Sequence, residues 1–121
     1  MQKKAPIGYP KKEKKKRKKT HGKSIIQRPE DKGRCYLCIL RDDNYSEHAY
    51  LETHHVMFGQ GRRDKAEADG LTVRLCTDHH YEVHHNADSR QRLCAIAQRA
   101  YERTHTRDEW MERYKKNYLE E

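Results

Sequence analysis

Two short spacings constrain this chain more than any other feature: Cys35-x-x-Cys38 and Cys76-x-x-His79. A two-residue spacer lets both donors of a half-site face one tetrahedral ion. Joined on the same ion, the halves make a Cys3His centre, and structural Zn2+ is the expected cofactor. The alternative is that Cys35 and Cys38 are merely buried thiols. The fourth cysteine, Cys94, lies in an amphipathic run and reads as a small core residue; it is the reserve ligand if His79 faces elsewhere. A staple matters here because the 121 residues are only 33% hydrophobic and 38% charged. Small cores of that kind need outside help, and the free energy of metal binding then counts toward folding. The N-terminus is charged and lacks the apolar run of a secretory signal, and no stretch approaches a membrane span. The expected setting is therefore a reducing, cytoplasmic one, with metal-binding rather than disulfide-forming cysteines.

The charge is unevenly placed. Residues 1–23 contain eleven Lys or Arg and one acid, Glu13, for a net +10, whereas the whole chain carries +8 and residues 24–121 therefore sum to −2. The run "KKEKKKRKKTHGK" has no apolar periodicity, so residues 1–23 are expected to be a disordered basic tail ahead of one domain at 24–121. Such a tail is either a solubilising arm or one that binds phosphates non-specifically; its composition also suits a nuclear-localisation signal.

Within the domain the pattern predicts an α+β fold. "HAYLETHHVMF" carries strand formers and runs into "GQG", giving a strand from about Ala49 to His55 and then a Gly-rich loop. "RRDKAEADG" is a short helix or a loop. "LTVRLC" is a second strand, with Leu71, Val73 and Leu75 alternating with Thr72 and Arg74. Asp78 can cap a helix starting at His79. "SRQRLCAIAQRAYERTH" is amphipathic, with Leu93, Ile96, Ala97, Ala100 and Tyr101 on one stripe. Thr106 and Glu109 form a capping-box pattern. Trp110, Met111, Tyr114 and Tyr118 then recur at helical spacing, as core. The expected ββα core spans about 33–88 and the two C-terminal helices about 89–119.

The histidines gather beside these elements. "LETHHV" and "LCTDHHYEVHHN" hold six of the nine. His80 and His84 lie one helical turn apart on one face, the spacing of a chelating pair. His54 and His55 end a strand, where neighbours point to opposite faces. One of them is expected to bind the ion and the other to remain free for proton transfer. Three protein ligands with open positions describe a catalytic rather than a closed structural site. His21 and His48 have no partner pattern and are expected to face solvent, and His105 falls in a turn between helices.

This order of strand ending in "HH", loop, strand, and helix with His-x-x-x-His resembles the HNH (His-Me finger, ββα-metal) endonucleases. The frame of Cys35, Cys38, Cys76 and His79 resembles that family's zinc-framed branch, with His79 of "CTDHH" standing where a second Cys is usual. "AQRAYERTHTRDEWMERYKKNYL" is similar to the ends of small prophage-encoded HNH proteins. The resemblance covers roughly residues 33–119. It implies His55 as the general base, His54, His80 and His84 as ligands of one catalytic divalent ion (Mg, Mn, Ni, Co or Zn), and phosphodiester hydrolysis in nucleic acid. DNA is the favoured substrate, and phage or prophage DNA processing in a bacterial host cell the implied setting. Family members commonly place an Asn before the second strand to help orient the base; "EADGLTVRLC" has none, which leaves Asp69 or the backbone around Gly70 to take its place. Arg62, Arg63 and Lys65, between the strands, are either a solvated surface or phosphate clamps beside the site. The alternative to a nuclease is a catalytically inactive, zinc-stapled nucleic-acid-binding or accessory module.

Overall fold

The computed structural model describes residues 23–59 and 61–119; the basic tail up to residue 22, with His21, lies outside the described residues. After a 3-10 turn at Pro29–Asp31, the order is α1 (Tyr36–Asp42), β1 (Glu52–His55), α2 (Arg62–Asp69), β2 (Thr72–Leu75), α3 (Thr77–His85), α4 (Ala87–Tyr101) and α5 (Arg107–Tyr114). This is a small α+β architecture of one two-stranded antiparallel sheet and five helices.

The sheet is shorter than the strand-forming residues suggest. β1 begins at Glu52 rather than Ala49, because its partner ends at Leu75, which pairs with Glu52; the register continues Thr53–Arg74, His54–Val73 and His55–Thr72. Alternation puts Glu52 and His54 on one face and Thr53 and His55 on the other. Leu71, Val73 and Leu75 are buried as expected, but so is Thr72. The chain just before α1 covers its side. Ser24 Oγ donates to the Thr72 carbonyl at 2.6 Å, the Arg74 amide donates to Gln27 Oε1 at 2.7 Å, and the Ile25 amide donates to the Gly70 carbonyl at 2.9 Å. Gly70, which ends α2, has φ +76°, and a Cβ there would lie 2.5 Å from the Lys23 carbonyl oxygen. Only glycine meets both demands.

Two helix boundaries differ from the sequence expectation. α3 starts at Thr77 with Cys76 as its N-cap, so Asp78 lies inside the first turn rather than capping it. α4 starts at Ala87, where the Asn86 side chain accepts from the Ser89 amide. The Thr106–Glu109 capping box is formed in both directions. α5 then stops at Tyr114, because Lys115 turns left-handed (φ 68°) and closes the helix onto the Met111 carbonyl. Tyr118 is thus reached by a non-helical segment, not by the helix that its spacing predicts.

That segment is pinned by two buried groups. Trp110 Nε1 donates to the Lys116 carbonyl at 2.7 Å, and Gln98, fully buried, accepts from the Tyr118 amide at 2.7 Å and donates to Asn117 Oδ1 at 2.9 Å. Trp110 and Tyr114 are fully buried with ring centroids 4.3 Å apart, and Tyr101 meets the Trp110 ring edge-on at 5.5 Å. Trp110→Ala should cost ~3–5 kcal/mol in chemical denaturation of the metal-loaded protein, the range for emptying a buried aromatic site. Trp110→Phe should lose about 1 kcal/mol, mainly the hydrogen bond. A wild-type midpoint for Trp110→Ala would contradict this packing.

Candidate metal centres

The first centre joins α1 to the start of α3. Cys35 precedes α1 and Cys38 sits in its first turn; Cys76 caps α3 and His79 lies in its opening turn. All four donor atoms converge. His79 Nδ1 is 3.3 Å from Cys35 Sγ, 3.5 Å from Cys38 Sγ and 3.4 Å from Cys76 Sγ. Zn–S and Zn–N bonds of usual length set at the tetrahedral angle give an edge of about 3.6 Å, so the donor cage matches a zinc ion closely. The thiols also call for a cation. Burial, with Cys35 and Cys76 alongside, pushes Cys38 up to about 12. Three such thiolates can coexist only around compensating positive charge. The cluster can hold a structural metal such as zinc. Cys94 is not part of it; buried in α4, it points at the Val56 carbonyl, 3.7 Å away. His48, expected to face solvent, is instead half-buried with Nε2 4.0 Å from Cys38 Sγ. The cause is the loop after α1, which is tied back by the His48 amide to the Gly33 carbonyl.

The second group is His54, His80 and His84, whose nitrogens converge between β1 and α3. The His54 ring meets those of His80 and His84 edge-on at 5.2 and 5.4 Å. His80 Nε2 and His84 Nε2 are 3.2 Å apart. Two nitrogens on one tetrahedral ion are separated by about 3.3 Å. His54 Nε2 is buried with no hydrogen-bond partner among the described residues. An orphaned buried nitrogen facing two more imidazoles fits a cation, which would satisfy all three at once. Burial, reinforced by His80 and His84, pulls His54 down to about 3, so it keeps a free lone pair at neutral pH.

Two carboxylates fix the imidazoles, and neither was singled out from the sequence. Glu52 Oε1 lies 2.5 Å from His80 Nδ1, and Tyr50 OH donates to the other oxygen at 3.0 Å. An ionised carboxylate only accepts, so His80 carries its proton on Nδ1 and turns the Nε2 lone pair toward His54 and His84. On the other sheet face, Glu67 Oε1 of α2 lies 2.7 Å from His55 Nε2. The same logic puts a proton on that Nε2. The spacing of Glu52 and His54, two apart on a strand, was the available signal for the first contact. The second joins β1 to α2, which no local pattern reveals.

The other sequence candidates have different positions. Asp69 accepts from Arg113 Nε and Tyr114 OH, both at 2.5 Å, so it anchors α5 and does not orient His55. Arg62 donates to the Tyr114 carbonyl at 2.7 Å and Lys65 to the Arg113 carbonyl at 3.2 Å; Arg63 is exposed. His85 turns away from the cluster and stacks on Tyr81 at 4.0 Å, and His105, in the turn between α4 and α5, stacks on Tyr101 at 4.0 Å. No described helix is long and apolar enough to cross a membrane. Comparison with known families, curated proteins and solved structures gave no match.

Cys35→Ser should unfold the domain, since a thiolate-held structural ion contributes on the order of 10 kcal/mol in small zinc modules. Far-ultraviolet circular dichroism and bound-metal analysis check this. Native spectra and an unchanged melting curve would remove the staple role.

Proposed function

We propose that the protein is a metal-dependent nuclease of HNH type, hydrolysing phosphodiester bonds in nucleic acid, with DNA the favoured substrate and phage or prophage DNA processing the favoured setting. The observation that carries this reading is the division of labour between neighbours on β1: His54 turns an unpartnered buried nitrogen toward His80 and His84, while His55 faces the opposite side against Glu67. A closed structural site of three imidazoles has no use for a fourth held by a carboxylate next to it.

A divalent cation held by His54, His80 and His84 would neutralise the scissile phosphate and stabilise the departing 3′ oxygen. An all-nitrogen donor set suits Zn, Ni, Co or Mn better than Mg. His55 supplies the base. With its Nε2 proton donated to Glu67, Nδ1 takes a proton from water as the water oxygen bonds to phosphorus. The bond from phosphorus to the 3′ oxygen breaks, and that oxygen is protonated from solvent, leaving a 5′-phosphate and a 3′-hydroxyl. Glu67 is a positioning residue in this scheme, filling the place left by the missing Asn and not filled by Asp69. Glu52 does the same for His80, and outer carboxylates of this kind are worth about 10–100-fold in metal affinity.

Plasmid cleavage across a panel of divalent ions, read beside calorimetric metal titration, tests the reading. His55→Ala should lose at least about 10²-fold in cleavage yet still bind the ion, and His54→Ala or His84→Ala should weaken the ion as well. If His55→Ala loses the metal and His54→Ala keeps it, the two roles are reversed. If the wild-type protein cleaves with none of the ions, the inactive binding module stands instead.

A further inference from the structure

A recess of about 250 Å³ opens beside the sheet, away from both metal groups. Its lining includes Lys23, Arg28, Lys32 and Arg74, together with Thr53 and Thr72, and no acidic side chain. Its wall is built rather than incidental. Ser24 and Gln27 fasten it to β2, and Gln27 Nε2 also donates to the Asp31 and Arg34 carbonyls, each at 3.0 Å. Asp31, itself buried, accepts from Arg28 Nε and Arg34 Nη1 at 3.0 Å each. Arg28 is thus partly compensated. The side chains of Lys23, Lys32 and Arg74 make no ion pair or hydrogen bond among the described residues. Three uncompensated cations held around one recess raise its positive potential and attract an anion.

Two further facts say which anion. Residues 1–22 carry ten Lys or Arg against Glu13 alone, and this run joins the recess at Lys23. The strand register places Arg74 opposite Thr53 and Thr72 opposite His55, so the recess lies on the His55 face of the sheet, not on the His54 face. A volume just under the 300–1,000 Å³ of pockets that enclose drug-sized ligands suits one phosphate and its sugar. A flat bilayer surface cannot enter it.

We propose that this recess seats a backbone phosphate of nucleic acid on the His55 side of the sheet, with Lys23, Lys32 and Arg74 as its cations. The choice of nucleic acid rests on the nuclease reading; the recess and its charge do not. Arg62 and Lys65, which the sequence offered for this role, are engaged by carbonyls at the end of α5.

The test is fluorescence anisotropy of a labelled 20-base-pair DNA duplex with the full-length protein over a salt series, without divalent ion beyond the structural zinc. Lys32→Gln/Arg74→Gln should reduce the slope of log affinity against log salt by up to about 0.9, the loss of one phosphate contact. Melting temperature and zinc content should stay at wild-type values. Arg92→Gln/Arg99→Gln removes the same charge from exposed positions on α4 and should leave the slope unchanged. An unchanged slope in the first variant, or an equal fall in the control, overturns the proposal. Binding to phosphatidylserine vesicles that depends on Lys32 and Arg74, with none to DNA, reassigns the recess to a lipid surface and also overturns it. The two readings fail separately: a slope effect without any metal-dependent cleavage removes only the nuclease, and cleavage without a slope effect removes only the phosphate seat.

Discussion

The convergence of Cys35, Cys38, Cys76 and His79 is the constraint on which the rest of the molecule depends. It ties the turn before α1 to the first turn of α3. It also sets the phase of α3. With Cys76 and His79 turned to the thiol side, His80 and, one turn on, His84 rotate to the neighbouring face, where β1 presents His54. The position of the imidazole group is therefore a consequence of the sulfur cage. Loss of the cage would remove both centres, whereas loss of His54 would remove one.

The carboxylates complete the arrangement from opposite sides of a four-residue strand. Glu52 and His54 share a face with α3, and Glu52 fixes the His80 tautomer. His55 points to the other face, where Glu67 of α2 holds it. The helix between the strands thus has a task beyond connecting them. Its far end is tied to α5 through Asp69, and Arg62 and Lys65 donate to the last two carbonyls of α5. The C-terminal helices support the site from behind, through α2.

Much of this was legible in the residues, for reasons that differ from one feature to the next. Donor spacings survive translation into structure because they are local: two-residue spacers and the His80–His84 turn need only a helix or knuckle around them. The capping box at Thr106 and the buried stripe of α4 were readable on the same ground. What the sequence concealed was non-local. The strand from Ala49 shrank because its partner ends at Leu75, a fact of pairing rather than propensity. Tyr118 kept its place in the core but lost its helix, because Lys115 turns left-handed and buried Gln98 captures the next stretch. Glu67 and the engagement of Arg62 could not be seen, since each depends on which element packs beside α2. α1 leaves no signature of its own, because its seven residues, "YLCILRD", lie in the cysteine knuckle and offer no long apolar period.

One short helix, α3, contributes donors to two separate groups, the Cys3His cage and the three imidazoles, each of which could hold a cation. Anomalous diffraction from crystals of zinc-replete protein soaked in cobalt tests it most directly. The expected result is a zinc peak enclosed by Cys35, Cys38, Cys76 and His79, and a second, cobalt-exchangeable peak in contact with His54, His80 and His84. A single peak within the sulfur cage, with His54 Nε2 bonded to some other group, would contradict it.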